Sequence, residues 1–253
     1  MKIVIDAGHG GKDPGAIGNG LREKDIVLTL GLRIGQLLAA RGVKVIYTRQ
    51  TDEYLELVER PEVAAREGAD YFLSLHVNAG GGTGFETFVQ TGATVAAVAY
   101  QNVIHQRIAL LYKQEGFPDR GTKQANLAVL RGSERAGIPA ILAEYGFIDH
   151  PKEAAMLTDP AWLERLARAT AAGVAAAFGL PDAPEKEAKE SVDTMNLEQW
   201  QWKMLGDALD GLYHKGLLGD YGWAEKAYKG ELTQTELVWL NTVAFAREKG
   251  VEV

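Results

Sequence analysis

Three short apolar runs each end in residues able to bind a metal ion or move a proton. Asp6-Ala7-Gly8-His9-Gly10-Gly11 closes the run that opens at residue 2, Ser74-Leu75-His76-Val77-Asn78 closes a second, and Ala143-Glu144-Tyr145-Gly146 closes a third. Glu23 stands at the start of a long amphipathic pattern. Two imidazoles and two carboxylates suit a single zinc ion, because a catalytic zinc commonly keeps two His, one carboxylate and an open position. Such an ion lowers the pKa of water toward roughly 7 and polarises a neighbouring carbonyl. A carboxylate left uncoordinated can then take the water proton and pass it to a leaving amine. Glu144 is the candidate for that base, since the apolar run Ala140-Ile141-Leu142-Ala143 before it would desolvate the carboxyl group and raise its pKa.

Other readings of these residues are weaker. The Gly-rich loop is no dinucleotide fingerprint, which needs Gly where Asp13 stands, and no P-loop, which needs Gly at Asp6 and Ser or Thr at Asp13. No Gly-x-Ser-x-Gly elbow occurs, Ser133 lying in Arg131-Gly132-Ser133-Glu134, so a serine hydrolase is disfavoured. A lone His at a strand end is ordinarily a structural hydrogen bonder; the case for His76 comes from the conjunction of four groups. His105 and His214 read as ordinary surface or half-buried residues, and His150 before Pro151 reads as a helix cap. Asn78, Glu86 and Arg131 are candidates for supporting the ligands or touching substrate.

The elements that must position these groups follow from periodicity. Lys2–Asp6 reads as a buried strand, then a Gly-rich loop over 8–20 ending in the turn pair Asn19-Gly20. Ile26, Val27, Leu30, Ile34, Leu37 and Leu38 recur at helical spacing, Gly42 supplies the stop, and Val43–Tyr47 forms the next strand. This is a βαβ unit with a parallel pair. A helix over 55–67, strands over 70–75 and 84–90, a helix over 94–115, strands at Asn126–Leu130 and Pro139–Ala143, and an Ala-rich helix Ala161–Phe178 capped by Asp159 and Pro160 complete the pattern. The expected fold is α/β, a twisted and mostly parallel sheet with helices on both faces. In such sheets ligands gather beyond the carboxyl ends of the strands. His9, His76 and Glu144 each follow a strand there, and Glu23 opens the returning helix on the same edge.

Residues 1–179 make that domain, residues 180–194 read as a solvated linker with two prolines among charges, and residues 195–253 as a small all-α module. Helical patterns cover about 196–214 and 233–249, with a short middle helix between, and the module holds Trp200, Trp202, Trp223 and Trp239 of the chain's five tryptophans. Most of these are expected in a small core; stacking on sugar rings or dimerisation are the functional readings.

A formal charge of −7 opposes broad attraction to nucleic acid or anionic membranes. Hydrophobic residues make up 46%, enough for a packed core, while no apolar stretch nears the roughly 20 residues that span a bilayer, so the chain reads as soluble and globular. Without cysteine any metal must be held by His and carboxylates. Met1-Lys2 leads directly into the first strand, so no secretory signal is expected, and export or release would depend on another factor.

As a set, these motifs resemble the zinc-dependent N-acetylmuramoyl-L-alanine amidases of amidase family 3, found in bacterial autolysins and phage endolysins. The family's Asp-x-Gly-His-Gly-Gly is similar to Asp6–Gly11, its Glu-Lys-Asp to Glu23–Asp25, its Ser-x-His-x-Asn to Ser74–Asn78 and its Glu-x-Gly-Phe to Glu144–Phe147. Gly84–Thr87 and Leu127–Leu130 are also similar to family segments beside the site. Ala7 stands where Pro is frequent, and Asp149-His150 where many members carry another pair. The resemblance implies that His9, Glu23 and His76 bind Zn²⁺ and that Glu144 is the catalytic acid/base. It implies hydrolysis of the amide between N-acetylmuramic acid and L-alanine in peptidoglycan, at the cell wall, by an enzyme exported or released from the cytoplasm at lysis. Another zinc amidohydrolase or carboxypeptidase-like peptidase, or a non-catalytic wall-binding protein, are the rival readings.

Overall fold

The computed structural model describes residues 1–181 and 197–248; all but the first two residues of the expected linker lie outside them. The chain divides into two compact units, Met1–Ala183 and Pro184–Val253.

The first unit is built on a six-stranded sheet of β1 (Lys2–Ala7), β4 (Lys44–Tyr47), β5 (Tyr71–Asn78), β6 (Phe85–Gln90), β7 (Asp119–Ala125) and β8 (Ala140–Phe147). Their order is β4-β1-β5-β8-β6-β7. β4, β1, β5 and β8 are parallel, which puts the ends of three apolar runs along one edge, as the sequence suggests. β6 runs antiparallel to β8, and β7 is parallel to β6, so these two strands begin at the edge where the others end.

The central strands are apolar on both sides because both faces are covered. On one face Ile3, Ile5, Leu73, Ile141 and Ala143 pack against α1 (Glu23–Ala39), α3 (Val95–Gln114) and α6 (Pro160–Phe178). On the other, Val4, Phe72 and Leu142 meet Ala64 of α2 (Glu59–Glu67) and Val129 and Leu130 of α4 (Ala128–Arg135). The strand expected at Asn126–Leu130 is therefore corrected. Its apolar residues are the N-cap Leu127 and the first turn of α4, and the strand precedes them as β7, whose alternating half-buried and exposed residues mark a sheet edge with no continuous apolar run. A short ribbon of β2 (Ile17–Gly18) and β3 (Leu21–Arg22) closes on Asn19-Gly20, both at positive φ as a tight hairpin requires, and delivers the chain directly into α1. After β8, α5 (Pro151–Thr158) and α6 follow, α6 capped by Asp159 with Pro160 in its first turn.

The second unit comprises α7 (Gln199–His214), α8 (Gly222–Tyr228) and α9 (Gln234–Glu248) around Leu209, Leu218, Ala224, Ala227, Leu232, Leu240 and Ala244. Trp202 and Trp223 pack against this core, whereas Trp200 and Trp239 are 62% and 52% exposed. The expectation that most of the four are internal is thus met by two. Among the described residues no helix is long and apolar enough to cross a membrane.

Candidate metal centre

The loop after β1 carries His9 in the left-handed region at φ 59°, where a side-chain-bearing residue costs about 1–2 kcal/mol. Three buried groups hold it there. Arg60 donates to the His9 carbonyl at 2.7 Å and to that of Ala7 at 2.9 Å, and Arg49 donates to the carbonyls of Ala7 at 2.9 Å and Gly8 at 2.8 Å. Asp6, fully buried, accepts from Arg60, Thr48 and Ser74 and anchors the array to the sheet. Gly8 is required by close approach: a Cβ there would lie 2.5 Å from the His76 ring.

His76 comes from the end of β5, and Glu23 from the first residue of α1. The Glu23 carboxylate sits between the two rings, 3.2 Å from His9 Nε2 and 2.9 Å from His76 Nδ1. It also accepts the backbone N–H groups of Ala16 at 2.8 Å and Val77 at 2.9 Å, which fixes its orientation. The rings meet edge to face with centroids 5.0 Å apart. One ligand atom from each of His9, Glu23 and His76 lies within 4.8 Å of the others. His9 Nδ1 is held by Asp13 at 2.8 Å, which leaves Nε2 as its inward nitrogen, the arrangement by which a carboxylate commonly orients a metal-binding imidazole.

Burial opposes charge on Glu23, yet the bonds to His76 and His9 outweigh it and hold the carboxyl well below its usual range. Burial likewise opposes charge on His9 and His76, but Glu23, with Asp13 at His9 and Glu144 at His76, raises both above the ordinary imidazole value. Three side chains so mutually attracted form a preassembled donor set.

Glu144 lies in register with His76 across β5 and β8. Its Oε2 is buried and has no hydrogen-bond partner among the described residues. Burial pushes its carboxyl up to about 7. Glu86 stands opposite Glu144 on β6, but its environment is the reverse: Asn78 donates to Oε1 at 2.7 Å, and Arg120 and Lys123 bind Oε2. Against the burial that would raise it, these cations hold Glu86 below its ordinary value. Two adjacent carboxylates with pKa values driven apart are suited to different tasks.

The structure therefore brings together His9, Glu23 and His76, with Glu144 beside them and Asn78 and Glu86 bonded to each other next to Glu144. Arg131 lies on α4, bonds Asn126 at 2.8 Å and lines a shallow groove with Pro61 and Glu62 of α2. His150 caps α5, accepting from the Glu153 N–H. His105 is buried rather than superficial, bridging Thr87 at 3.0 Å and Asp119 at 2.8 Å. Its place one helical turn from Gln101 and Ala109 on the inner stripe of α3 was the available signal. Asp13, Arg49, Arg60, Arg120 and Lys123 were not foreseen; their partners are distant in sequence or, for Asp13, hidden in a glycine-rich loop.

The profile of a family described as N-acetylmuramoyl-L-alanine amidase matches residues 3–176. The chain belongs to this family. The amidase is 43% identical over 182 residues to the sporulation-specific N-acetylmuramoyl-L-alanine amidase of Bacillus subtilis (strain 168), across 71% of this chain and 69% of the relative. It is 42% identical over 198 residues to the endolysin of Bacillus phage SPP1, across 75% of this chain and 72% of the endolysin. The catalytic domain of the amidase CwlV from Bacillus (Paenibacillus) polymyxa var. colistinus superposes with a TM-score of 0.65 at 34% identity, covering 71% of this chain and 99% of that one. The family match ends before the second unit of the amidase begins.

Proposed function

We propose that this amidase is a zinc-dependent enzyme that hydrolyses the amide between N-acetylmuramic acid and L-alanine in peptidoglycan and so degrades the bacterial cell wall. The observation that carries the reading is the half-buried Glu144, whose enclosed Oε2 has no hydrogen-bond partner among the described residues, beside a preassembled His-His-Glu donor set. Two imidazole nitrogens and one carboxylate match the donors zinc takes in hydrolytic sites, and Asp13 supplies the outer support such a histidine needs. His9, Glu23 and His76 would hold Zn²⁺, which when bound would supply Lewis acidity to a nearby amide carbonyl and to water. The chain's own part is proton movement. Glu144, poised near neutrality, takes a proton from the attacking water at its free Oε2 and returns it to the departing alanine nitrogen. Glu86, held ionised by Arg120 and Lys123, cannot serve as that acid.

The test is product analysis of digested walls. New free L-alanine amino groups without new reducing ends are expected; exhaustive chelation is expected to remove activity at least about 10²-fold, with recovery on adding Zn²⁺. Cleavage inside the peptide, or full activity after chelation, would overturn the reading.

We assign the C-terminal unit to attachment at the wall, because the exposed Trp200 and Trp239 offer flat apolar faces suited to sugar rings. A chain truncated to residues 1–183 is expected to co-sediment with intact walls several-fold less than the full chain, while hydrolysing a soluble muramoyl peptide at a similar rate. Equal sedimentation, with a loss of dimer on light scattering, would favour dimerisation instead. The site of action is then the wall, whether the enzyme is exported or released at lysis.

A further inference from the structure

Beside the metal centre lies a pair of cations that the hydrolytic step does not use. Glu86 faces Glu144 in the antiparallel β6–β8 register, so the two side chains share a face with Cα atoms about 4.5–5.5 Å apart. On the far side of β6 the register with β7 slips: Phe85 pairs with Asp119 but Thr87 with Thr122, so Arg120 and Gly121 together oppose Glu86. Gly121 takes a φ of 84°, and the bulge turns Arg120 onto the face of the site. There Arg120 Nε donates to Glu86 Oε2 at 2.9 Å, and its guanidinium lies 4.9 Å from the Phe147 ring centroid. Lys123, opposite Phe88, reaches the same carboxylate oxygen.

Two cations on one carboxylate leave a positive charge unbalanced. Glu86 is 4% exposed, but Arg120 and Lys123 are 34% and 38% exposed; beyond their bonds to Glu86 and a 3.5 Å contact from Arg120 to the Thr83 carbonyl, both keep N–H donors open to solvent. A fork of guanidinium and ammonium donors is suited to a carboxylate.

We propose that Arg120 and Lys123 form a subsite for the first free carboxylate of the leaving peptide, one residue beyond the scissile amide. This rests on the amidase reading above. The glycan side offers no such group, since the muramoyl carboxyl is itself consumed in the amide bond and the remaining sugar substituents are neutral. The leaving amine must lie at Glu144, which returns its proton. From that nitrogen an extended peptide reaches about 7 Å over two residues; β7 lies two strand spacings, about 9.6 Å, from β8, and the Arg120 and Lys123 side chains close the difference by reaching back to Glu86 on the strand between. The subsite would register the peptide so that its amide nitrogen falls at Glu144.

The test uses the full-length, zinc-loaded enzyme and two soluble substrates, N-acetylmuramoyl-L-alanyl-γ-D-glutamyl-L-lysine and the same molecule with the glutamyl α-carboxyl converted to a carboxamide. The wild type is expected to favour the free acid about tenfold in kcat/KM, chiefly through KM, with the preference shrinking as salt rises. In Arg120→Gln and Lys123→Gln that ratio is expected to fall to near one, and in Arg120→Lys to be kept in part. Glu86→Gln, which removes the competing internal carboxylate, is expected to increase the preference for the acid. Equal use of both substrates by the wild type, or equal loss on both in variants with unchanged thermal unfolding, would overturn the subsite and leave the cations as neutralisers of Glu86. If Arg120→Gln does not fold, Lys123→Gln carries the comparison alone. Failure to cleave either substrate would instead sink the amidase reading itself.

Discussion

Replacing Glu144 with Gln should abolish hydrolysis and, in metal-free protein above neutral pH, make the fold more stable. Loss of a positioned acid/base costs typically 10²–10⁴ in rate, and a group that serves first as base and then as acid is expected near the upper end. The stability gain comes from the same burial that fits Glu144 for its task. Its folded-state pKa of about 7 lies above the ordinary 4.5, so the folded chain holds a proton that the unfolded chain has already released. The sign follows: below about pH 4.5 both states are protonated and Glu144 costs nothing; between 4.5 and 7 the folded state progressively loses stability; above 7 the loss is complete. A separation of that size corresponds to on the order of 3 kcal/mol. Gln cannot ionise, so the difference between variant and wild type isolates this one group from the other titrating residues. Urea unfolding of both proteins in chelator at pH 5, 6, 7 and 8 measures it. A variant with no advantage at pH 8 over that at pH 5 would mean that the Glu144 carboxyl is solvated and not poised.

The four residues of the candidate site stand out in the sequence because parallel strands buried on both faces read as apolar runs, and such runs stop where the chain reaches the edge on which these residues gather. His9, His76 and Glu144 all stand at such stops, and the Asn19-Gly20 turn before Glu23 marks the entry to α1 in the same way. What escaped was set by pairing rather than by pattern. β7, with the sequence Asp-Arg-Gly-Thr-Lys-Gln-Ala, lies at an open edge and needs no apolar run, so the apolar start of α4 was the stronger strand signal. The reversed direction of β6 and β7 is equally silent locally, yet it carries Glu86 on the first, and Arg120 and Lys123 on the second, to the side of the sheet occupied by Glu144. Arg49 and Arg60 look like ordinary surface charges in a charged stretch; only the folded chain shows that both are 2% exposed beneath the His9 loop.

Arg60→Met should be the most destabilising single change in the support of the candidate metal centre. Arg60 and Asp6 form an ion pair at 2.9 Å with side chains 2% and 0% exposed, and removing one member of a buried pair typically costs 3–5 kcal/mol. Against a total stability of about 5–15 kcal/mol, that leaves a folded but fragile enzyme. Most of the cost is the stranded Asp6 charge, which Thr48 and Ser74 solvate only in part. Asp6→Asn combined with Arg60→Met should therefore recover part of the stability, because neither ion remains, giving a coupling of roughly 1–3 kcal/mol in a double-mutant cycle. Metal affinity should behave differently. The bond from Arg60 to the His9 carbonyl is lost in both Arg60 variants, so the left-handed backbone at His9 is less firmly held whether or not Asp6 is neutral. Zn²⁺ affinity is thus expected to fall about tenfold or more in Arg60→Met and to stay low in the double variant although its stability returns. Recovery of both together would show that the pair supports the fold alone; recovery of stability without affinity would show that the second arginine-to-carbonyl bond is what keeps His9 in position to meet Glu23 and His76.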